Sequence, residues 1–197
     1  LKANLADEAS LAAMMQELGS HFSRIDIVIS NAASGVLRPF MELTSRDWDW
    51  AVNINARALL LLVQQVVPKM ECGGRILAIS SIGAVRAIPN YTVVGSSKGA
   101  LESLVRHLAV ELGPRGMTIN TISAGVVDTD ALKKFPNRDS IIEASMARTP
   151  LGRLTTPEDV ADVALLLCSP LAKMIHGQTV VVDGGYLQGV LAPGQRN

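Results

Sequence analysis

Apolar and polar positions alternate along this chain in two periods, and the switches between them outline its elements. Leu11, Met14, Met15, Leu18 and Phe22 recur at helical spacing behind Asp7, a capping residue. "RIDIVIS" follows as a short apolar run ending in a polar turn, the pattern of a strand buried on both faces. Thr44, with Asp47 three positions on, opens a long helix toward Met70 that Pro68 bends or ends. "GGRILAIS" predicts a second buried strand. The next helix carries Lys98, Leu101, Leu104, Val105 and Leu108 and stops at Gly113 and Pro114. "GMTINTIS" predicts a third strand. Thr156, Pro157, Asp159 and Pro170 mark both ends of a further helix, and "GQTVVVDGG" predicts a fourth strand.

Strands apolar on both faces, alternating with helices, predict an α/β fold: a doubly wound parallel sheet in a single domain. In such sheets ligands sit outside the carboxyl ends of the strands. Here those ends read "SNAASG", "SSIGA", "SAGVVDT" and "DGGY". From Val127 to about Thr155 the pattern lapses, which predicts one long irregular insertion.

Composition narrows the classes. The chain has 197 residues with 18 basic and 18 acidic side chains, so no global field draws it to nucleic acid or to a membrane surface. The run "ALLLLVQQVV" is too short to span a bilayer and is interrupted by Gln64 and Gln65. Hydrophobic residues make up 48% of the chain, which predicts that part of the apolar surface lies in subunit contacts. Cys72 and Cys168 lack CxxC spacing, so no disulfide is expected, and such usage suits a reducing, cytoplasmic setting. His21, His107 and His176 are scattered without ligand spacing, and no metal site is expected.

The chemistry concentrates in "NYTVVGSSK". Tyr91 stands seven residues before Lys98, and Val94 occupies the position four before it. Five motifs in order give a resemblance to the short-chain dehydrogenase/reductases over nearly the full length. They are "SNAAS", "AVNINARALL", "ISSIG", "SAGVVDT" and "GQTVVVDGG", with Ser30, Ala33 and Ala124 departing from the usual pattern. The seven-residue spacing is similar to that of enoyl-acyl-carrier-protein reductases rather than ketoreductases. "NAASGVLRPFMEL", "DWDWAVNINA" and "DTDALKKFPNRD" resemble the type III, NADPH-using members.

Geometry is compatible with that spacing. Seven residues make nearly two helical turns, so Tyr91 and Lys98 share a face if the helix begins by Tyr91, with about 4.5 Å more rise than a four-residue spacing gives. In reduction of a 2-enoyl thioester, hydride goes to C3 while charge builds on the thioester oxygen, two bonds further out. A donor displaced from the lysine suits that reaction.

The resemblance implies roles. Tyr91 would hydrogen-bond the developing enolate oxygen. Lys98 would hold the nicotinamide ribose and lower the phenol pKa by its charge. Ser81 would polarise the substrate or only order its loop. Asn55 would link its helix to Lys98 through water, or simply bend the helix by a local hydrogen bond. Asn31, Ala32 and Ala33 would present backbone to the cofactor. Gly125, Val127 and Thr129 would cover the nicotinamide and pyrophosphate, and Asn4 and Leu5 would flank the adenine. The plain alternatives are a turn tyrosine, a solvated helix lysine and a helix-capping threonine. Lys133, Lys134 and Arg138 are either a docking patch for an acidic carrier or a solvated loop.

The resemblance therefore implies a Rossmann-like NADPH-dependent reductase (NADH is not excluded) acting on enoyl groups carried by acyl carrier protein or coenzyme A, as a homotetramer without nucleic-acid or membrane partners. The rivals are a 2,4-dienoyl-CoA or alcohol/ketone reductase, and a non-catalytic oligomeric protein on the same scaffold. The family's glycine-rich strand–turn–helix has no counterpart here, and the chain opens at Leu1 on "LKANLADEAS". The expectation is a domain lacking its first βαβ segment, with an open apolar edge on the "RIDIVIS" strand.

Overall fold

The computed structural model describes residues 1–129, 132 and 138–189. Four parallel strands lie in the order β1 (Ile27–Ser30), β2 (Arg75–Ser81), β3 (Thr118–Ala124) and β4 (Thr179–Val182). Register runs from Ile27 opposite Arg75, through Ile76 opposite Ile119, to Ala124 opposite Val182. Helices cover both faces. On one, α1 (Glu8–His21), α3 (Ala58–Val66) and α4 (Thr92–Leu112) bury Met15, Leu59, Val66, Leu101 and Val105 against Ile76 and Ile119. On the other, α6 (Pro157–Cys168) packs Leu167 onto Leu77 and Ile122.

Local chemistry explains the boundaries. Asp7 caps α1 by accepting the Ala9 N–H. Thr44 and Asp47 form a reciprocal capping box at α2 (Ser45–Val52), and Thr156 and Asp159 form another at α6, behind Pro157. Between α2 and α3 the chain makes a π-turn over Asn53–Arg57, where the Ala58 N–H reaches back to the Asn53 carbonyl. The helical stretch Ser45–Lys69 is long and apolar enough by composition to cross a membrane. Much of its apolar surface instead enters the core, through Ala51, Ala58, Leu59, Leu61, Val63 and Val66.

Three expectations are corrected. β1 is not buried on both faces: it is an edge strand whose Ile27 and Ile29 are about half exposed (48% and 49%). The stretch from Val127 to Thr155 is not irregular throughout, because α5 (Arg138–Arg148) lies within it. Phe22 does not extend the α1 stripe; it is the exposed C-cap residue.

His176 ties β3 to α4. Its Nδ1 accepts the Ile119 N–H at 3.1 Å, and its Nε2 lies 2.7 Å from the Ala109 carbonyl, which requires the proton on Nε2. His176→Ala would leave the N–H of fully buried Ile119 without a partner, a loss of about 1–3 kcal/mol. Thermal unfolding should show a melting temperature several degrees lower, and an unchanged value would mean that water or a neighbour replaces the imidazole.

Candidate active site

The carboxyl ends of the strands open into a cavity of about 1050 Å³ whose lining includes Asn31, Ala33, Ser81, Tyr91, Lys98, Gly125, Val127 and Thr129. The sheet architecture alone places the strand-end residues there. Tyr91 arrives by a sharper device. Asn90 takes a left-handed conformation (φ 61°), which asparagine tolerates better than most residues, and its carbonyl accepts the Arg38 N–H. The turn delivers Tyr91 as the N-cap residue of α4, so the helix begins at the one place that sets Tyr91 and Lys98 two turns apart.

Glycines make room for the phenol. A Cβ on Gly83 would collide with the Tyr91 ring, and one on Gly95 would come within 2.7 Å of the Gly83 carbonyl. The ring therefore lies between loop and helix, and its hydroxyl donates to Ser81 Oγ at 3.4 Å. Ser81 Oγ also accepts the Gly83 N–H at 3.1 Å, so Ser81 both orders its loop and faces the phenol. Val94, where a tyrosine four before the lysine would stand, packs over Gly35 and is not part of the cavity lining.

Lys98 is 6% exposed and donates to the Ile79 carbonyl at 2.7 Å. Burial lowers its pKa to about 8, opposed by the nearby Glu102 carboxylate. Glu102 is itself buried one helical turn further on and accepts the Ser80 hydroxyl at 2.6 Å. The expectation that Lys98 lowers the Tyr91 pKa is corrected. Burial raises the phenol pKa, with the Ser81 hydrogen bond opposing. Desolvation dominates at both groups, and Tyr91 stays a phenol at neutral pH.

Asn55 does not spend its side chain on a local bond within its own helix. Its Oδ1 accepts the Ser34 N–H at 2.9 Å, and its Nδ2 donates to the Ser34 carbonyl at 2.7 Å and to Ser97 Oγ at 2.8 Å. It thus clamps the loop after β1 to α4 directly, one residue from Lys98. The indole N–H of Trp50 donates to Ser34 Oγ, and the Ser97 hydroxyl donates to the Val94 carbonyl. Ser34, Ser97, Trp50, Glu102 and Ser80 escaped the sequence reading. The available signal was Ser97, a small hydroxyl in a helix whose apolar neighbours give it no solvent.

Other expectations part company with the site. Asn4 and Leu5 lie in the turn into α1: Asn4 accepts the Ala6 N–H on its side chain and the Asp7 N–H on its carbonyl, and neither residue lines the cavity. Ala32 is outside the lining, whereas its equally exposed neighbours Asn31 and Ala33 belong to it. Lys133 and Lys134 fall outside the described residues, while Arg138 pairs with Asp128 at 2.8 Å rather than standing as a free cation. Gly125 is dictated by packing, since a Cβ there would press on Thr155 and Asp183.

Residues 1–187 match a family model described as enoyl-(acyl carrier protein) reductase. The chain is 36% identical to 1-cyclohexenylcarbonyl-CoA reductase of Streptomyces collinus, over 94% of this chain and 67% of that one. It is also 36% identical to 7alpha-hydroxysteroid dehydrogenase of Escherichia coli, over 95% and 73%. The Bacillus cereus enoyl-acyl carrier protein reductase, solved with NADP+ and indole naphthyridinone, superposes with a TM-score of 0.91 at 31% identity, covering 96% of this chain and 76% of that one. The chain belongs to the short-chain dehydrogenase/reductases, a family of oxidoreductases, in the group whose model is described as enoyl-(acyl carrier protein) reductase.

Proposed function

We propose that this chain reduces trans-2-enoyl thioesters carried by acyl carrier protein or coenzyme A with NADPH, as the last reduction in a cycle of fatty acid synthesis. The observation that carries the reading is the phenol of Tyr91 in the cavity beside Ser81, with Val94 turned away onto Gly35. The donor is thereby set further from Lys98, as conjugate reduction asks.

The residues present fit a nicotinamide cofactor. Lys98 has three N–H donors at the wall of the cavity, and one of them is spent on the Ile79 carbonyl. Lys98 would hold the ribose hydroxyls, with Asn31 and Ala33 on one side and Val127 and Thr129 on the other. When bound, the reduced cofactor supplies the hydride. Tyr91, kept protonated by burial, donates its O–H to the thioester oxygen as negative charge gathers there, a bond stronger in the transition state than in the ground state. Ser81 orients that phenol. Asn55 keeps the loop after β1 and the first turns of α4 at fixed separation, so Lys98 is positioned without touching Asn55 itself. Exposed apolar side chains such as Met41, Leu171 and Met174 support a homo-oligomeric assembly, a tetramer in our reading.

The test is NADPH oxidation by crotonyl thioesters set against ketones and secondary alcohols. Turnover confined to the enoyl thioester supports the reading. A second reading, reduction of a ketone, draws on the Tyr91–Ser81 hydroxyl pair, which could polarise one carbonyl oxygen, and on the equal likeness to a hydroxysteroid dehydrogenase. Turnover of ketones alone would establish it.

Lys98 gives a pH signature. Its folded pKa of about 8 lies below the ordinary 10.5, so cofactor binding should weaken as pH rises through about 8 and the ammonium is lost. Stability should move the other way. Between those two values the unfolded chain holds more protons than the folded one, so unfolding free energy rises with pH across that window. Cofactor affinity that stays flat across the window would show that the lysine's charge is not what binds.

A further inference from the structure

The lining of the cavity contains two cations, Lys98 and Arg86, and no carboxylate among the described residues. Lys98 is anchored by the Ile79 carbonyl. Arg86 is held differently. Its backbone N–H is spent on the Ile82 carbonyl, but among the described residues its guanidinium has neither an ion pair nor a hydrogen bond. It stacks instead on Tyr186, 4.7 Å from the ring centroid.

That stacking is supported from behind. Tyr186 sits in the turn after β4, where buried Asp183 accepts the N–H groups of Gly185 and Leu187, both at 2.8 Å. Gly184 and Gly185 take positive φ so the turn can close around that carboxylate. The ring is therefore presented by a fixed loop, and it holds the guanidinium by its face. Such a contact leaves the in-plane N–H donors of the arginine free to meet an oxyanion side-on. A half-buried arginine, oriented but, among the described residues, unpaired at the wall of a mostly apolar cavity, is arranged for an anionic ligand group.

We propose that Arg86, held by Tyr186, is the anion-recognition point for the substrate and takes a phosphate or carboxylate oxygen of the bound thioester. This rests on the thioester reading above. The group has two sources: the phosphate of a phosphopantetheine arm, or a carboxylate at the far end of the acyl chain.

Three ligands separate them: crotonyl-pantetheine, crotonyl-phosphopantetheine and glutaconyl-pantetheine, titrated calorimetrically into the protein with NADP+ present. In the wild type, one charged ligand should bind about tenfold or more tightly than the neutral one, the worth of a hydrogen-bonded charge. Arg86→Gln should erase that preference, and Arg86→Lys should restore part of it, which also controls for folding. Preference for the phosphate places the carrier arm at Arg86; preference for the carboxylate places the acyl terminus there. The proposal is overturned if neither charged ligand is preferred, if the preference survives Arg86→Gln, or if that variant weakens NADPH binding instead. Turnover of the same three compounds is read separately. Binding without reduction would overturn the proposed reaction and leave the role of Arg86 decided by the affinities.

Discussion

Tyr91→Phe is expected to lower kcat for enoyl thioester reduction by about 100- to 1000-fold, the range seen when one donor to a developing oxyanion is removed. The change deletes a single oxygen. The ring remains between Gly83 and Gly95, and the one hydrogen bond that the oxygen makes among the described residues is long, 3.4 Å to Ser81 Oγ. The fold should accordingly be indifferent: melting temperature and NADPH affinity should stay close to those of the parent. KM should also change little, because the hydrogen bond matters most once charge has gathered on the substrate oxygen. A raised KM with kcat unchanged would assign Tyr91 to ground-state binding. Full activity in the variant would remove it from the chemistry and point to Ser81 as the donor.

Asn55→Leu should have the largest effect on stability. The asparagine is 4% exposed and satisfies both backbone groups of Ser34 and the hydroxyl of Ser97. Leucine matches its volume and offers none of these bonds. The Ser34 N–H and C=O and the Ser97 oxygen would be left facing an apolar side chain, each costing about 1–3 kcal/mol where water cannot reach. We expect a loss of about 3 kcal/mol or more, equivalent to about 6–12 °C in melting temperature for a chain of this size. Activity should fall too, since the loop after β1 and the α4 turn carrying Lys98 lose their common anchor. A drop of less than about 2 °C would mean that the loop holds its place by packing alone.

Much of this site was legible in the sequence because its strongest signals are spacings and caps. Tyr91 and Lys98 share a cavity because seven residues make two turns, and the capping pairs Thr44–Asp47 and Thr156–Asp159 fixed where two helices begin. What stayed hidden depends on distant partners. Asn55 could be seen as an amide in need of a partner, but Ser34 and Ser97 lie 21 and 42 residues away, and no local pattern selects them. α5 was missed for a different reason. Only Ser145 along it is buried, so Ile141 and Ile142 trace no apolar stripe. The phenol of Tyr91 was misjudged electrostatically because sequence proximity to Lys98 says nothing of desolvation, which outweighs the Ser81 hydrogen bond at Tyr91 and the Glu102 carboxylate at Lys98.

The π-turn at Asn53–Arg57 bears on how this gene can change in length. A helix advances about 100° per residue, so removing one codon there would let the helix relax to ordinary winding while rotating everything before it by that angle. Asn55 would then leave Ser34 behind, and Trp50 would swing off the same loop. Insertions and deletions among working variants of this chain should therefore collect in surface turns such as that around Gly73 and avoid this helix.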